Sequence, residues 1–146
     1  MEDQRKEIQM QTIYPILRYE DARSAITWLC SAFGFVEVFS VPATGPIVRH
    51  AQLALGTNRI MLGSCRSDDG LASPQHVGIA TQALSVYVAD VDAHYAQAVR
   101  AAAAILDPPR DTDFGSRDYH VRDPEGHLWV FGTMLHAPES ATDARG

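Results

Sequence analysis

The chain has little cysteine, little positive charge and no long apolar run, and each shortage removes a class of function. Cys30 and Cys65 are the only cysteines in 146 residues. Their isolation excludes a CxxC redox pair or a zinc knuckle, and two reduced thiols are expected. Twelve Lys and Arg stand against eighteen Asp and Glu, for a formal charge of -6. Such a balance offers no basic patch to nucleic acid and no attraction to an anionic membrane. No apolar stretch approaches the roughly 20 residues that span a bilayer. The opening MEDQRKEIQMQ carries both charges and lacks a signal-peptide core, so a cytoplasmic location is expected. A Gly-rich phosphate loop and a GxSxG elbow are absent. Most carboxylates fall at caps, turns and tails, and Glu37, on a strand, has no evident carboxylate partner for an acid/base pair. What is present, 46% hydrophobic and 21% charged residues, is the composition of a globular domain able to bury roughly 70% of its unfolded surface.

An internal repeat organises that material. An apolar strand run ends at Asp21 and again at Asp90, each placed to cap a helix, 69 residues apart. Leu62-Gly63-Ser64 and Phe131-Gly132-Thr133 repeat the same offset of 69. After Asp21, Ala22, Ala25, Ile26, Leu29 and Phe33 form one helical stripe that Gly34 ends. After Asp90, the stripe reads Val91, Tyr95, Ala98, Val99 and Ala102, leaving His94, Gln97 and Arg100 for a solvated face. Strand patterns at Val36 to Val41 and at the hairpins His50 to Gly63 and Asp118 to Thr133 complete two β-α-β-β-β halves. Asp123-Pro124-Glu125-Gly126 has the residues of a type I turn followed by a bulge. The expected division is an N-terminal tail over 1–10 and a domain over 11–136. Within that domain, module 1 covers about 11–65, a connector 66–82 and module 2 about 83–135; a C-terminal tail covers 137–146.

The paired βαβββ pattern, the opening YEDARSAITWLCSAFGF and the close GSRDYHVRDPEGHLWVFGT resemble the vicinal oxygen chelate superfamily. Glyoxalase I, extradiol dioxygenases and the fosfomycin- and bleomycin-resistance proteins belong to it. The resemblance covers about residues 11 to 135. It implies an α+β fold in which two βαβββ modules form a cup-shaped mixed β-sheet with helices on its outer face. It also implies a homodimer in which modules of two chains complete each cup. Enzymes of the family hold a divalent metal there, with one ligand position on the first and one on the last strand of each module. Carried onto this sequence, those positions fall on Tyr14, on Ala83 or Ser85, on Met61 and on Val130. Phenol, thioether and hydrocarbon do not make a hard-metal site. No metal and no other cofactor is therefore expected.

The candidate ligand-binding residues are those with cup-facing strand parity: Tyr14, Ile16, Met61, Ser85, Tyr87 and Val130. The offset of 69 matches His50 to Tyr119, which adds both to the cup and turns His120 away. Gln52 and Arg117 would orient a ligand, Arg117 as an anchor for a carboxylate or phosphate. No catalytic residue is assigned. Asp21, Asp90, Asp123 and Glu125 read as caps and turn residues, and His76, His127 and His136 as surface positions. The expected function is metal-independent binding of a small organic molecule, antibiotics included, in an apolar cup. The alternative is a lyase, isomerase or transferase of the superfamily with a non-standard or absent metal site, using His50, Tyr14 and Tyr119.

Overall fold

A computed structural model describes residues 11–133; the expectations for both tails, and for His136, lie outside them. In chain order the elements are β1 (Ile16–Tyr19), α1 (Ala22–Phe33), β2 (Val36–Val41), β3 (His50–Leu55), β4 (Asn58–Ser64), α2 (Pro74–Val77), β5 (Ala83–Tyr87), α3 (Val91–Arg100), β6 (Ala104–Asp111), β7 (Arg117–Arg122) and β8 (Leu128–Gly132). Each half is a four-stranded mixed sheet, in the orders β1-β4-β3-β2 and β5-β8-β7-β6. The parallel pairs are β1 with β4 and β5 with β8, and the remaining neighbours are antiparallel. No helix among the described residues is long and apolar enough to cross a membrane.

Both helices start as the sequence predicts. The Asp21 carboxylate accepts from Ser24 N–H and that of Asp90 from Ala93 N–H, while left-handed Gly34 ends α1. Helix α3 is shorter than its alanine run suggests. It stops at Arg100, Ala102 takes φ 62°, and Ala104 already opens β6. Pro108 and Pro109 lie inside β6, which an edge strand tolerates because its outer amides need no partner.

The two halves share one interior. One face of each sheet carries the fully buried side chains: Leu17, Tyr19, Ala51, Leu53 and Leu62 from the first, Tyr119, Val121, Trp129 and Phe131 from the second. Phe33, at the end of α1, lies 5.4 Å from the Trp129 ring and 4.7 Å from that of Phe131. The helices meet there too, and the buried side of α3 is rotated from the predicted stripe. Val99 is exposed, whereas His94 and Gln97 donate to the last carbonyls of α1, Phe33 O at 2.9 Å and Ser31 O at 2.8 Å. Those carbonyls have no partner within their own helix, so polar residues on a neighbouring helix can cap them. Trp28 answers in the other direction, its indole N–H donating to Ala101 O at 3.2 Å.

The turn of module 2 stitches the halves together. Asp123 accepts from the Tyr19 hydroxyl at 2.6 Å and the Trp129 indole at 3.2 Å. Burial, followed by the charge of Asp123, holds the Tyr19 phenol well above its ordinary pKa, so it remains the donor. Glu125 accepts from Glu20 N–H (2.7 Å), Asp21 N–H (2.8 Å) and the Ser73 hydroxyl (2.6 Å). His127 is buried against Arg18 O at 2.9 Å. These three residues are inter-module fastenings rather than surface turn residues.

Gly63 and Gly132, the landmarks of the repeat, share a cause. A Cβ on Gly63 would lie 2.9 Å from Arg49 O, and one on Gly132 would lie 2.9 Å from the Asp118 Cβ. Neither site has room for a side chain without movement of its neighbours.

Candidate functional site

Since one face of each sheet is committed to the shared interior, the other two faces point away from it. On the first sheet the alternation of β4 buries Ile60, Leu62 and Ser64 and leaves Met61 outward. Register then assembles the outward face: Met61 pairs with Ile16 on one side and Gln52 on the other, and beyond Gln52 lies Phe39. His50 pairs with Val41 one step along. Ile16, Phe39 and Val41 are exposed apolar side chains on this sheet.

A polar chain crosses this surface. Arg59 donates to Gln52 Oε1 at 3.0 Å, and Gln52 Nε2 lies 3.3 Å from His50 Nε2. The His50 ring sits 5.6 Å from that of Phe39. Sequence reasoning placed Ile16, His50, Gln52 and Met61 on a common face, and the structure brings them together. It missed Phe39 and Arg59, although both share the strand parity that would have found them. Tyr14 is half-buried and lies ahead of β1 rather than within it.

On the second sheet the outward face carries Ser85 beside Val130 and His120 across from Val130. Tyr87 is exposed at the end of β5. His120 stands 4.0 Å from Asp107 and 3.9 Å from Asp118. This corrects the expectation for β7, because Tyr119 and not His120 faces the interior. Tyr119 is fully buried and donates to His94 Nδ1 at 2.6 Å. The cause is a hairpin of unequal length. Nine residues separate Gln52 from its partner Met61, but ten separate His120 from Val130. The extra residue in the Asp123–Gly126 turn shifts the β3/β7 correspondence to 68, and a one-residue slip reverses every side chain. Arg117 follows Tyr119 to the wrong side for a cup anchor. Its guanidinium pairs with Asp92 at 3.0 Å and Asp111 at 3.2 Å.

His94 lies between Tyr119 and Phe33 O as a neutral imidazole with Nε2–H donating and Nδ1 accepting. Burial lowers its pKa below the usual histidine range, opposed in part by the Phe33 carbonyl. Burial also pushes the Tyr119 phenol up. This pair is core structure.

The family's metal positions carry side chains of the wrong chemistry for an ion. Met61 and Val130 occupy the centres of β4 and β8, with Ile16 and Ser85 beside them in register. Thioether, hydrocarbon and one hydroxyl, with the Tyr14 phenol ahead of β1, do not provide the imidazole, thiolate or carboxylate set that a divalent ion requires. No group of three or more His, Cys, Asp or Glu among the described residues is arranged to hold one elsewhere. The residues present do not fit the metal.

A separate cleft of about 580 Å³ opens between the halves on the interior side. Phe35 and Trp129 line it, with Leu55 and Ile60 from the β3–β4 hairpin and Leu84 and Val86 from β5. Ser85 and Tyr87 also reach its edge.

Fold, repeat and closing motif define the class, and the sequence profile of the Glyoxalase/Bleomycin resistance protein/Dioxygenase superfamily matches residues 11–131. The chain belongs to that superfamily. Among its relatives, an uncharacterised protein of Mycobacterium bovis is 32% identical over 81% of this chain and 80% of its own length. Among solved structures, TioX from Micromonospora sp. ML1 is 33% identical, with a TM-score of 0.69 over 84% of this chain and 99% of that one. A glyoxalase/bleomycin resistance protein/dioxygenase family enzyme from Burkholderia phytofirmans PsJN is similar in fold, at 18% identity and a TM-score of 0.62 over 84% of this chain and 97% of that one.

Proposed function

We propose that the protein binds a small organic molecule without a metal, in a cup formed when two copies bring their outward sheet faces together. The observation that carries this reading is the outward face of the first sheet. There, exposed Ile16 flanks a half-buried Met61, exposed Phe39 and Val41 lie beyond Gln52 and His50, and the Arg59–Gln52–His50 chain supplies directional polar contacts. Such a surface suits a planar or amphiphilic ligand, antibiotics included. The second sheet brings Ser85, Tyr87, His120 and Val130 to a matching outward face. In one chain the two faces point apart, so a cup enclosed on both sides takes a homodimer. Exposed Ile16, Phe39 and Val41 support that arrangement, because a second copy would take these apolar side chains out of water.

The test is a thermal-shift screen of planar and amphiphilic compounds, paired with light scattering and metal analysis of the purified protein. A binder at a hundredfold excess over its Kd adds about 2.7 kcal/mol of stability. The expected result is a dimer, free of stoichiometric metal, with hits abolished by Phe39→Asp or Met61→Asp. A strictly monomeric protein, or hits indifferent to both substitutions, would remove the basis for the proposal. The polar chain ending at His50 favours a second reading, a superfamily enzyme acting with a non-standard or absent metal site. Under that reading His50→Gln abolishes turnover of a bound compound while leaving its affinity intact.

A further inference from the structure

The outward face of the first sheet has one position without a side chain. Ile16, Met61, Gln52 and Phe39 form a row across β1, β4, β3 and β2. Two residues along each strand, the same register sets out a second row of Arg18, Gly63, His50 and Val41. Neither row contains a carboxylate. Gly63 places no side chain between Arg18 and His50, and the Arg18 guanidinium uses that space. A Cβ on Gly63 would lie 3.2 Å from Arg18 Nη1.

Arg18 is held but not saturated. Its Nε donates to Asp69 Oδ2 at 2.8 Å, and only 11% of its side chain is exposed. Arg117, by contrast, clamps Asp92 with Nε and Nη2 together and gives Nη1 to Asp111. Neither Nη of Arg18 has a hydrogen-bond partner among the described residues. Every side-chain nitrogen or oxygen sealed from solvent among those residues does have one, so both Nη groups reach open space. Some of that space is a pocket of about 240 Å³ between β1 and the connector, which Arg18 lines together with outward-facing Ile16. The charge around Arg18 is also unbalanced. Arg66 Nε stands 3.8 Å from the Asp69 carboxylate, so two guanidiniums share one anion, and Asp68 forms no ion pair with either. One positive charge is left over in a chain whose formal charge is -6.

We propose that Arg18 anchors a carboxylate of the bound molecule, so that the cup takes planar organic acids. This rests on the binding function proposed above and narrows its ligand to one carrying a single negative charge. The Nη1–Nη2 fork grips the acid beside Gly63, a geometry that a planar carboxylate matches. The apolar body of the ligand then lies along Ile16 and Met61 toward Phe39, with Gln52 and His50 meeting its polar edge. Asp69 keeps the guanidinium in place through Nε and leaves the fork for the ligand.

The test is isothermal titration calorimetry on the full chain with 2-naphthoate and its neutral counterpart 2-naphthamide, with the urea midpoint of each variant as the fold control. The acid should bind about tenfold more tightly than the amide, or better. Arg18→Gln should remove that preference and leave amide binding unchanged. Arg18→Lys, which can still pair with Asp69 and so hold the connector, should lower it. Asp69→Asn should preserve it. A role for Arg18 confined to tethering the connector predicts instead that Asp69→Asn loses acid binding as fully as Arg18→Gln, and that result would overturn the proposal. A preference undiminished in both Arg18 variants would do the same. Equal affinities for acid and amide, both lost in Met61→Asp, would remove the anchor but keep the binding face. Failure of both compounds to bind at millimolar concentration would refute the organic-acid assignment and leave metal-free binding to the wider screen.

Discussion

Tyr87 and Tyr119 are both strand tyrosines of module 2, and truncating each to alanine separates the two faces of its sheet. Tyr119 is fully buried, stacks on Phe131 at 5.5 Å and donates to His94 at 2.6 Å. Removing a buried aromatic side chain costs about 3–5 kcal/mol. The lost hydroxyl also strands His94 Nδ1 in a half-buried site, for about 1–3 kcal/mol more. Against a total stability of about 5–15 kcal/mol, Tyr119→Ala leaves the chain at the edge of folding. Tyr87 is 54% exposed and its hydroxyl has no hydrogen-bond partner among the described residues, so Tyr87→Ala changes stability by less than about 1 kcal/mol. Urea denaturation at fixed protein concentration, followed by fluorescence and far-UV circular dichroism, reads both values. Equal midpoints for the two variants, or a Tyr119→Ala midpoint matching the unaltered protein, would refute the assignment of β7. In the proposed cup only Tyr87→Ala weakens ligand binding in a folded protein.

Further expectations rest on single contacts. Because burial depresses the His94 pKa, the unfolded chain takes up the proton first as pH falls. Stability is therefore complete above the ordinary histidine value of about 6.5 and declines below it until the folded state also protonates. His94→Gln flattens this part of a stability-versus-pH curve, and an unchanged slope would show that other groups cause it. Glu125→Gln replaces a carboxylate that accepts three hydrogen bonds with an amide whose NH₂ faces a donor. It should cost about 2–3 kcal/mol in chemical denaturation, and Ser73→Ala should cost less. Gly63→Ala drives a methyl against a backbone carbonyl at 2.9 Å and should cost about 1–3 kcal/mol, whereas Ala54→Gly on the outward face should cost less than half as much.

The fold was legible where one residue type has one local meaning. Asp21 and Asp90 cap their helices, Gly34 ends α1, and the period of two in β3 and β4 sorted His50 and Gln52 from Ala51 and Leu53. Legibility ended where meaning depends on a partner far along the chain. Glu125 reads as a turn residue until Ser73 and the start of α1 are brought beside it. His94 and Gln97 read as solvated until the end of α1 arrives with its carbonyls. The parity of β7 failed for a different reason. A repeat offset taken from β1 and β4 was carried across a turn that had gained one residue, and no local pattern in Arg117–Arg122 announces the slip. The outward face of the first sheet was found in part, since parity located His50 and Gln52 but not Arg59 or the edge-strand member Phe39.

The aromatic meeting of Phe33 with Trp129 and Phe131 bears on how a chain of this kind can be divided or inherited. A polypeptide carrying one half alone would leave half of that ring cluster in water, and it would have to associate with a twin to hide it. A cut within 66–82 should therefore yield fragments that complement each other on mixing but do not fold apart. By the same reasoning, any single-unit forerunner of the duplicated chain must have lived as a pair.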